Sequence, residues 1–521
     1  MNQMMFYLAC VVMAIGAIGF VASWLYENFF KSYEPKSYIK YDHDMNDLTR
    51  LKNKMVYEAA GGSSPLVFYG NHSERAIKKS WYQMELPAYR VSGEERGLVV
   101  GVSGTGKTNF ILAQIFDWMT SGKSLVVVDV KPEIWAVLNT NNMFEVMGYT
   151  PIVINPTDPY SDKYNFLDDI DLKNDLDEIL AVVIPDSDTS VSAFNEFARR
   201  VLKAIILYLN DLNGQVSLTE SYEFINSYSR TKTMFDDLKA SDNKMVQRMI
   251  NLALQSSDNE RFVSSGMTAL TSALSFLNDE TISEMTRTSD FSLNEALMDD
   301  FTIIFLQFEQ LAQAKTAALY ATTVQHLIRL MMTNHHDRDE VFIVLDEMTN
   351  SSPIPNLPTQ LNLMRAYKMP TFIYIQTVSS LYDMYGDHAM HLINSCSLKI
   401  CYRTNDIETA RTYSDICGTV DAQKISESYT PETRADGNTF MKKNVSANHE
   451  IMPLVPPTTL MQLPEGFVVC IYRGHAGVVE IPQQWKNTAI TERASYNSPR
   501  DIFDTDECYD TNQTENETEE V

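Results

Sequence analysis

A glycine-rich octet, Gly101-Val102-Ser103-Gly104-Thr105-Gly106-Lys107-Thr108, follows directly on the apolar run Leu98-Val99-Val100. No other feature restricts the chain as much. The octet fits the pattern G-x-x-x-x-G-K-[ST], which works where a buried strand leads in and a helix leads out. Beyond Thr108, Ile111, Leu112, Ile115, Phe116 and Met119 recur at helical spacing, and Gly122 supplies a stop. Glycines at these positions let successive backbone N–H groups converge on phosphate oxygens at a helix N-terminus. Lys107 is placed to neutralise β- and γ-phosphates, and the Thr108 hydroxyl to ligate Mg²⁺. The octet predicts a nucleotide-binding α/β domain.

The rest of that domain can be followed as short apolar runs. Leu125–Val128 ending at Asp129, and Pro151–Ile154, read as buried parallel strands. Strand signals resume at Thr302–Leu306, Val341–Leu345, Thr371–Ile375 and Leu398–Tyr402. Phe467–Ile471 and Val478–Ile481 read as a closing hairpin. Between Asp171 and Asp300 the character changes. One proline, Pro185, and two glycines, Gly214 and Gly266, interrupt a stretch with little strand signal, in which Phe194, Phe197, Ala198, Val201, Leu202, Ile205, Tyr208 and Leu209 form a helical stripe. An all-α domain inserted into the α/β domain is expected there.

Hydrolysis needs more than a phosphate loop. Val341–Leu345 ends in Asp346-Glu347, where Asp346 is expected to hold Mg²⁺ and Glu347 to orient or deprotonate the attacking water. Gln376 ends the next strand, where a polar side chain can face the γ-phosphate. The histidine pairs His335/His336 and His388/His391 lack an accompanying constellation of cysteines or carboxylates and read as surface residues. The six cysteines show neither C-x-x-C spacing nor a disulfide framework and read as reduced, mostly buried thiols.

Residues 1 to 26 carry no charge, and Met4 to Leu25 is almost continuously apolar. About 20 such residues span a hydrocarbon core of roughly 30 Å. Lys31, Lys36, Lys40, Arg50, Lys52 and Lys54 all follow the span, so a single-pass cell-membrane anchor with the bulk of the chain in the cytoplasm is expected. A net charge of −26 leaves no general basic surface for nucleic acid, so any DNA contact must be local. After Arg500 no basic residue occurs while nine acids crowd the last 21 positions, which predicts a disordered acidic tail.

With these elements placed, a wider pattern emerges. Asp129-Val-Lys131-Pro-Glu133, then Asn155-Pro-Thr-Asp-Pro159 running to Tyr164-Asn165-Phe-Leu167, resembles blocks of the type IV secretion coupling proteins of bacterial conjugation. Leu345-Asp-Glu347 with Leu357-Pro358, Gln376-Thr-Val-Ser379 with Leu381 and Tyr385-Gly386, Asn394-Ser-Cys396 and Thr404-Asn-Asp406 continue the series in that family's order. Val130 and Pro132 replace the family's Pro and Gly around Lys131, Phe166 replaces the Pro of Y-N-P-L, and one span stands where the family often has two.

The resemblance implies a RecA-like P-loop nucleotide-binding domain with an inserted all-α domain and an N-terminal transmembrane helix. It implies ATP and Mg²⁺ as ligands, and relaxase and relaxosome proteins, single-stranded DNA and type IV secretion channel proteins as partners of a homo-hexamer. Arg365, where the family has a basic segment at the subunit boundary, is then the candidate arginine supplied to a neighbour's γ-phosphate. The resulting division is a membrane anchor (1–30), a linker and lead-in (31–94), the nucleotide-binding domain in two parts (95–170 and 301–490), the all-α domain (171–300) and the acidic tail (491–521). Two rival classes are a double-strand DNA translocase of the chromosome-segregating type and a non-hydrolysing ATP-binding docking platform. The first usually carries several spans and a DNA-reading C-terminal domain, and the Asp346-Glu347 pair argues against the second.

Overall fold

The computed structural model describes residues 36–41, 48–59, 64–69, 87–91, 95–140, 142–185, 192–255, 260–308, 313–336, 338–350, 354, 357–434 and 439–481. The apolar segment Met4–Leu25 and the acidic tail lie outside these. Among the described residues no helix is long and apolar enough to cross a membrane. The chain divides into two compact units, residues 45–417 with 457–521, and residues 1–44 with 418–456.

The larger unit is built on a nine-stranded sheet. Its strands are β1 (Arg96–Val100), β2 (Leu125–Asp129), β3 (Thr150–Ile154), β4 (Thr302–Gln307), β5 (Phe342–Leu345), β6 (Thr371–Ile375), β7 (Leu398–Cys401), β8 (Phe467–Tyr472) and β9 (His475–Glu480). Their order is β9-β8-β7-β1-β6-β5-β2-β4-β3. The seven strands from β7 to β3 are parallel, and β8 and β9 close one edge antiparallel. Runs such as Leu98-Val99-Val100 and Val126-Val127-Val128 are buried on both faces, as a covered parallel sheet requires. Arg473 (φ 49°) and Gly474 (φ 78°) turn the closing hairpin, a pair of left-handed residues matched to strand twist.

Between β3 and β4 the described residues contain helices and no strand. The expected stripe lies on the helix Ser192–Asn213, which buries Phe197, Ala198, Val201, Leu202, Ile205 and Leu209. The next helix, Leu218–Ser227, starts at a capping box in which Ser217 and Glu220 satisfy each other's backbone N–H groups. Gly266 is required by close approach, because a Cβ there would lie 2.2 Å from the Phe197 ring. Entry to and exit from this helical stretch are stitched together. Asn165 accepts from Leu167 N and donates to Val216 O at 2.9 Å, while Ser292 Oγ and Leu293 N donate to Asp169 at 3.0 and 2.9 Å.

The lead-in is more structured than a linker. Val56–Ala59, Pro87–Arg90 and Leu66–Tyr69 form a small antiparallel sheet with Pro87–Arg90 in the middle. This sheet covers the helix Lys107–Met119, whose polar residues face inward. The fully buried Arg90 guanidinium grips the buried Asp117 carboxylate with two nitrogens, Nη2 donating to Oδ1 at 2.9 Å. Gln114 donates to Leu66 O at 2.6 Å and accepts from the Tyr374 hydroxyl of β6. The phosphate-loop helix is thereby bonded both to the small sheet and to the central sheet.

Breaking a buried pair strands a charge, at a cost of about 3–5 kcal/mol. Asp117→Ala is therefore expected to lower the thermal midpoint of the full chain strongly, with Asp117→Asn intermediate, in a differential scanning measurement. A midpoint unchanged in Asp117→Ala would show that the pair does not hold the lead-in sheet.

Candidate nucleotide site

Parallel pairing brings the ends of four strands to one edge. β6 lies between β1 and β5, in registers Ile375↔Val100 and Ile373↔Leu345, and β2 follows β5 in register Val128↔Leu345. The residues just past these ends are Gly101, Gln376, Asp346-Glu347 and Lys131. The two motifs read from sequence are thus separated by the strand that ends at Gln376.

The loop is shaped by its glycines. Gly104 and Gly106 have φ of 79° and 99°, a region that L side chains rarely adopt. A Cβ on Gly101 would fall 2.6 Å from Tyr402 Cβ and 2.9 Å from Thr105 Oγ1. Thr105 Oγ1 donates to Val102 O at 2.7 Å, and the Tyr402 hydroxyl to Gly106 O at 3.4 Å. Ser103 and Gly104 are exposed at the loop's crest, and Thr108 is partly exposed on the first helical turn. Lys107, only 8% exposed, donates to Gly101 O and, at 3.3 Å, to Val102 O. Burial pulls its ammonium below the usual lysine range, and the Asp346 and Glu347 carboxylates oppose that shift.

The acid pair faces Lys107. Burial and the adjacent Glu347 push the Asp346 carboxyl up to about 7, with Lys107 pulling the other way. Glu347 is 7% exposed and takes a left-handed backbone (φ 46°), which costs a non-glycine residue on the order of 1–3 kcal/mol. Its N–H donates to Asp346 Oδ1 at 3.0 Å. Its Oε1 accepts from Lys131 Nζ at 2.9 Å and from Gln376 Nε2 at 3.4 Å. The bond to Glu347 raises Lys131 above its ordinary range. Asp129, buried one strand over, is pushed well up by burial and accepts from Trp135 N at 2.9 Å.

Lys107, Thr108, Asp346, Glu347 and Gln376 are thus brought to one edge, and Arg365 is not. Arg365 is exposed at the start of the turn Arg365–Tyr367, before β6; against the opposing effect of burial, bonds from Ser397 and Arg473 hold the Glu95 carboxyl down, and Arg365 adds a smaller through-space share. Glu95 precedes β1, so this arginine sits at the amino ends of the strands, about 16 Å of strand away from its own phosphate loop. From there Arg365 does not reach the phosphate loop of its own chain. Lys131 was visible in sequence as part of the Asp129–Glu133 block but without a role. The signal was its place two residues past a strand adjacent to the one bearing Glu347.

Other blocks have structural work. Ser379 Oγ and Thr409 Oγ1 both donate to Asp406 Oδ2, at 2.9 and 2.6 Å, and Val378 N donates to Thr409 Oγ1 at 2.8 Å. The segment after Gln376 is thereby locked to the segment after β7. Of the cysteines described, Cys396, Cys401 and Cys470 are buried free thiols and Cys417 is half-buried.

The donor set fits a magnesium nucleotide. Left-handed glycines form the phosphate cradle, a buried lysine stands beneath it, and the Asp346 carboxyl, raised by burial and by Glu347, is an oxygen donor that a divalent cation would neutralise.

The family model described as type IV secretory system conjugative DNA transfer matches residues 44–480, and the chain belongs to that family. No curated protein sequence matches it. Among solved structures it is similar to the bacterial conjugative coupling protein TrwBdeltaN70 in an unbound form, with a TM-score of 0.61 and 18% identity over 87% of this chain and 94% of that one. TrwB in complex with ADP and Mg²⁺ matches at 0.58 and 17% identity, covering 82% and 97%. TrwB with the non-hydrolysable ATP analogue ADPNP matches at 0.57 and 18%, covering 82% and 96%. These likenesses show the fold, a RecA-like α/β sheet.

Because the native Asp346 carboxyl keeps its proton up to about pH 7 and the unfolded one loses it near 3.8, the native state binds more protons between these values. Its contribution to stability is complete below pH 3.8 and is lost as pH rises through 7. Nucleotide-free protein is expected to lose thermal stability over that window relative to Asp346→Asn. Parallel pH profiles of the two would contradict the burial of an ionisable Asp346.

Proposed function

We propose that this family member is a membrane-anchored, ATP-hydrolysing coupling protein, working as a homo-hexamer, that delivers a relaxase–single-strand DNA complex to a type IV secretion channel. Membership of the conjugative DNA transfer family supports the role, and the solved TrwB complexes support ATP and Mg²⁺ as ligands. The uncharged run Met4–Leu25 supports single-pass anchoring in the cell membrane. The observation that carries the catalytic reading is the buried Glu347, held by Lys131 and Gln376 at the edge where Lys107 faces it.

In this reading the phosphate loop binds the nucleotide, and Lys107 neutralises its β- and γ-phosphates. Thr108 and Asp346 hold Mg²⁺, which supplies charge neutralisation on the phosphate oxygens when bound. Glu347 takes a proton from the attacking water. Gln376, on both the γ-phosphate side and the Glu347 carboxylate, reports loss of the γ-phosphate. Arg365 from a neighbouring subunit stabilises charge on the transferring group, a contribution on the order of 10³-fold in rate. The all-α region receives the relaxosome proteins.

Lys107→Ala is expected to abolish nucleotide binding, whereas Glu347→Gln should bind ATP and fail to turn it over. Lys131→Met removes the main partner of Glu347 but no phosphate ligand. It should leave the affinity for a fluorescent ATP analogue near wild type and cut turnover about 10²-fold, the scale of a misplaced catalytic group. Wild-type turnover in Glu347→Gln would refute the assignment of the base, and a chain that binds ATP but never hydrolyses it, with or without single-stranded DNA, would be a docking platform instead.

Mixing Arg365→Ala with Lys107→Ala tests the trans arginine. Each alone should be inactive, and mixed oligomers should regain activity at interfaces that pair an intact loop with an intact arginine. Normal hydrolysis by Arg365→Ala alone would end that role.

A further inference from the structure

The smaller unit contains a sheet that nothing in the nucleotide chemistry uses. Thr419–Thr433 and Thr439–Pro453 are fifteen-residue antiparallel strands paired Thr433↔Thr439 through Thr419↔Pro453, and Lys36–Tyr41 adds a third strand against the first. At 3.4 Å per residue the hairpin is about 50 Å long. Its outer half is exposed on both faces. Fourteen large apolar side chains are exposed among the described residues, and four of them, Phe440, Met441, Val445 and Ile451, lie on this one strand. A two-stranded ribbon that buries neither face is marginal by itself. The outer half is built to be covered.

The register says from which side. Lys36 pairs with Glu427 and Tyr41 with Ala422, so the chain runs toward the hairpin's base as it enters and arrives from the side of the outer end. Only ten residues separate Lys36 from Leu25, the end of the apolar segment, a reach of at most roughly 35 Å. The outer half extends past the Lys36 pairing by six further residues of each strand, roughly 20 Å.

The chemistry of that end suits a lipid surface. Residues 428–445 carry Arg434, Lys442 and Lys443 against two acids, Glu432 and Asp436, a local excess of one positive charge in a chain whose net charge is −26. Arg434 lies over the Phe440 ring at 4.9 Å. Lys442 reaches Glu432 at 3.3 Å and Lys443 reaches Glu427 at 2.6 Å, and both lysines stay about half exposed. Alternation along the strand puts Phe440 with Lys442 on one face and Met441 with Lys443 and Val445 on the other. Apolar side chains beside basic ones on both faces are what an element dipping edge-on into headgroups presents.

We propose that the outer end of the hairpin 419–453 is a second membrane contact, in which Phe440 and Met441 enter the headgroup layer of an anionic bilayer and Arg434, Lys442 and Lys443 meet its phosphates. The proposal rests on the membrane-anchor reading of residues 4–25.

The test uses the full chain reconstituted in phosphatidylglycerol or phosphatidylcholine liposomes with a single-stranded oligonucleotide present. A photoreactive benzoylphenylalanine replaces Phe440, or, as a control near the base, Asp421. Lipid adducts at 440 should exceed those at 421 by about tenfold, as for a side chain held in the headgroup layer against one in water. Lys442→Gln and Lys443→Gln should each reduce the preference for phosphatidylglycerol by roughly fivefold. Adducts to the oligonucleotide or to a second copy of the chain, in place of lipid, would overturn the proposal and make the hairpin a nucleic-acid or subunit surface. Absence of lipid adducts in protein that resists alkaline carbonate extraction would overturn it while leaving the anchor intact. Extraction of the whole chain by carbonate would instead bring down the anchor reading, and this proposal with it.

Discussion

The site depends on one constraint, the parallel pairing of β6 between β1 and β5. Parallel strands end on the same side, so pairing three of them side by side delivers the phosphate loop, Gln376 and the Asp346-Glu347 pair to a common edge without any loop having to reach. Backbone bonds fix the edge further, since Gly101 N donates to Ile375 O at 3.2 Å and Tyr402 N to Val100 O at 2.8 Å. Each strand end is tied to its neighbour before any side chain contributes.

The helix behind the loop needs the same rigidity, and it is obtained through polar groups in the core. Arg90 with Asp117, and Gln114 between Leu66 O and the Tyr374 hydroxyl, are bonds whose geometry admits one arrangement, unlike the apolar contacts around them. Tyr374 belongs to β6, so Gln114 also connects the helix to the strand that ends at Gln376. The small lead-in sheet is therefore part of the nucleotide-binding unit's mechanics.

How far this was legible in the sequence follows from burial. The parallel strands are covered on both faces and so read as unbroken apolar runs, which is why β1, β2, β5 and β6 could be placed from sequence. The hairpin 419–453 is the opposite case. With neither outer face packed against the protein, Tyr429, Lys442, Asn444 and His449 alternate with nothing buried, and no period-2 signal arises. Asp117 and Gln114 were illegible for a third reason: polar residues on an amphipathic pattern read as the solvent side, and only the lead-in sheet reverses that. Lys131 read as a family marker, because a lysine after a strand end is ordinarily solvated. Its pairing with Glu347 depends on β2 lying beside β5, which is topology, not local sequence.

That pairing is also an electrostatic necessity. Two adjacent carboxylates removed from water repel each other and lose hydration, and nearby cations must offset that cost. Here the compensation is uneven. Lys131 donates to Glu347 and to no oxygen of Asp346, so Glu347 has the direct ion pair while Asp346 is raised to about 7. Lys107 attracts both carboxylates through space, but its hydrogen bonds go to the loop carbonyls of Gly101 and Val102. The pair is thus divided into a carboxylate neutralised by the protein's own lysine and one left short of positive charge beside the phosphate loop. Such a division suits one residue to handle a proton and the other to face a metal, and it arises from the burial of Asp346 together with the placement of a single lysine on β2's side of the sheet.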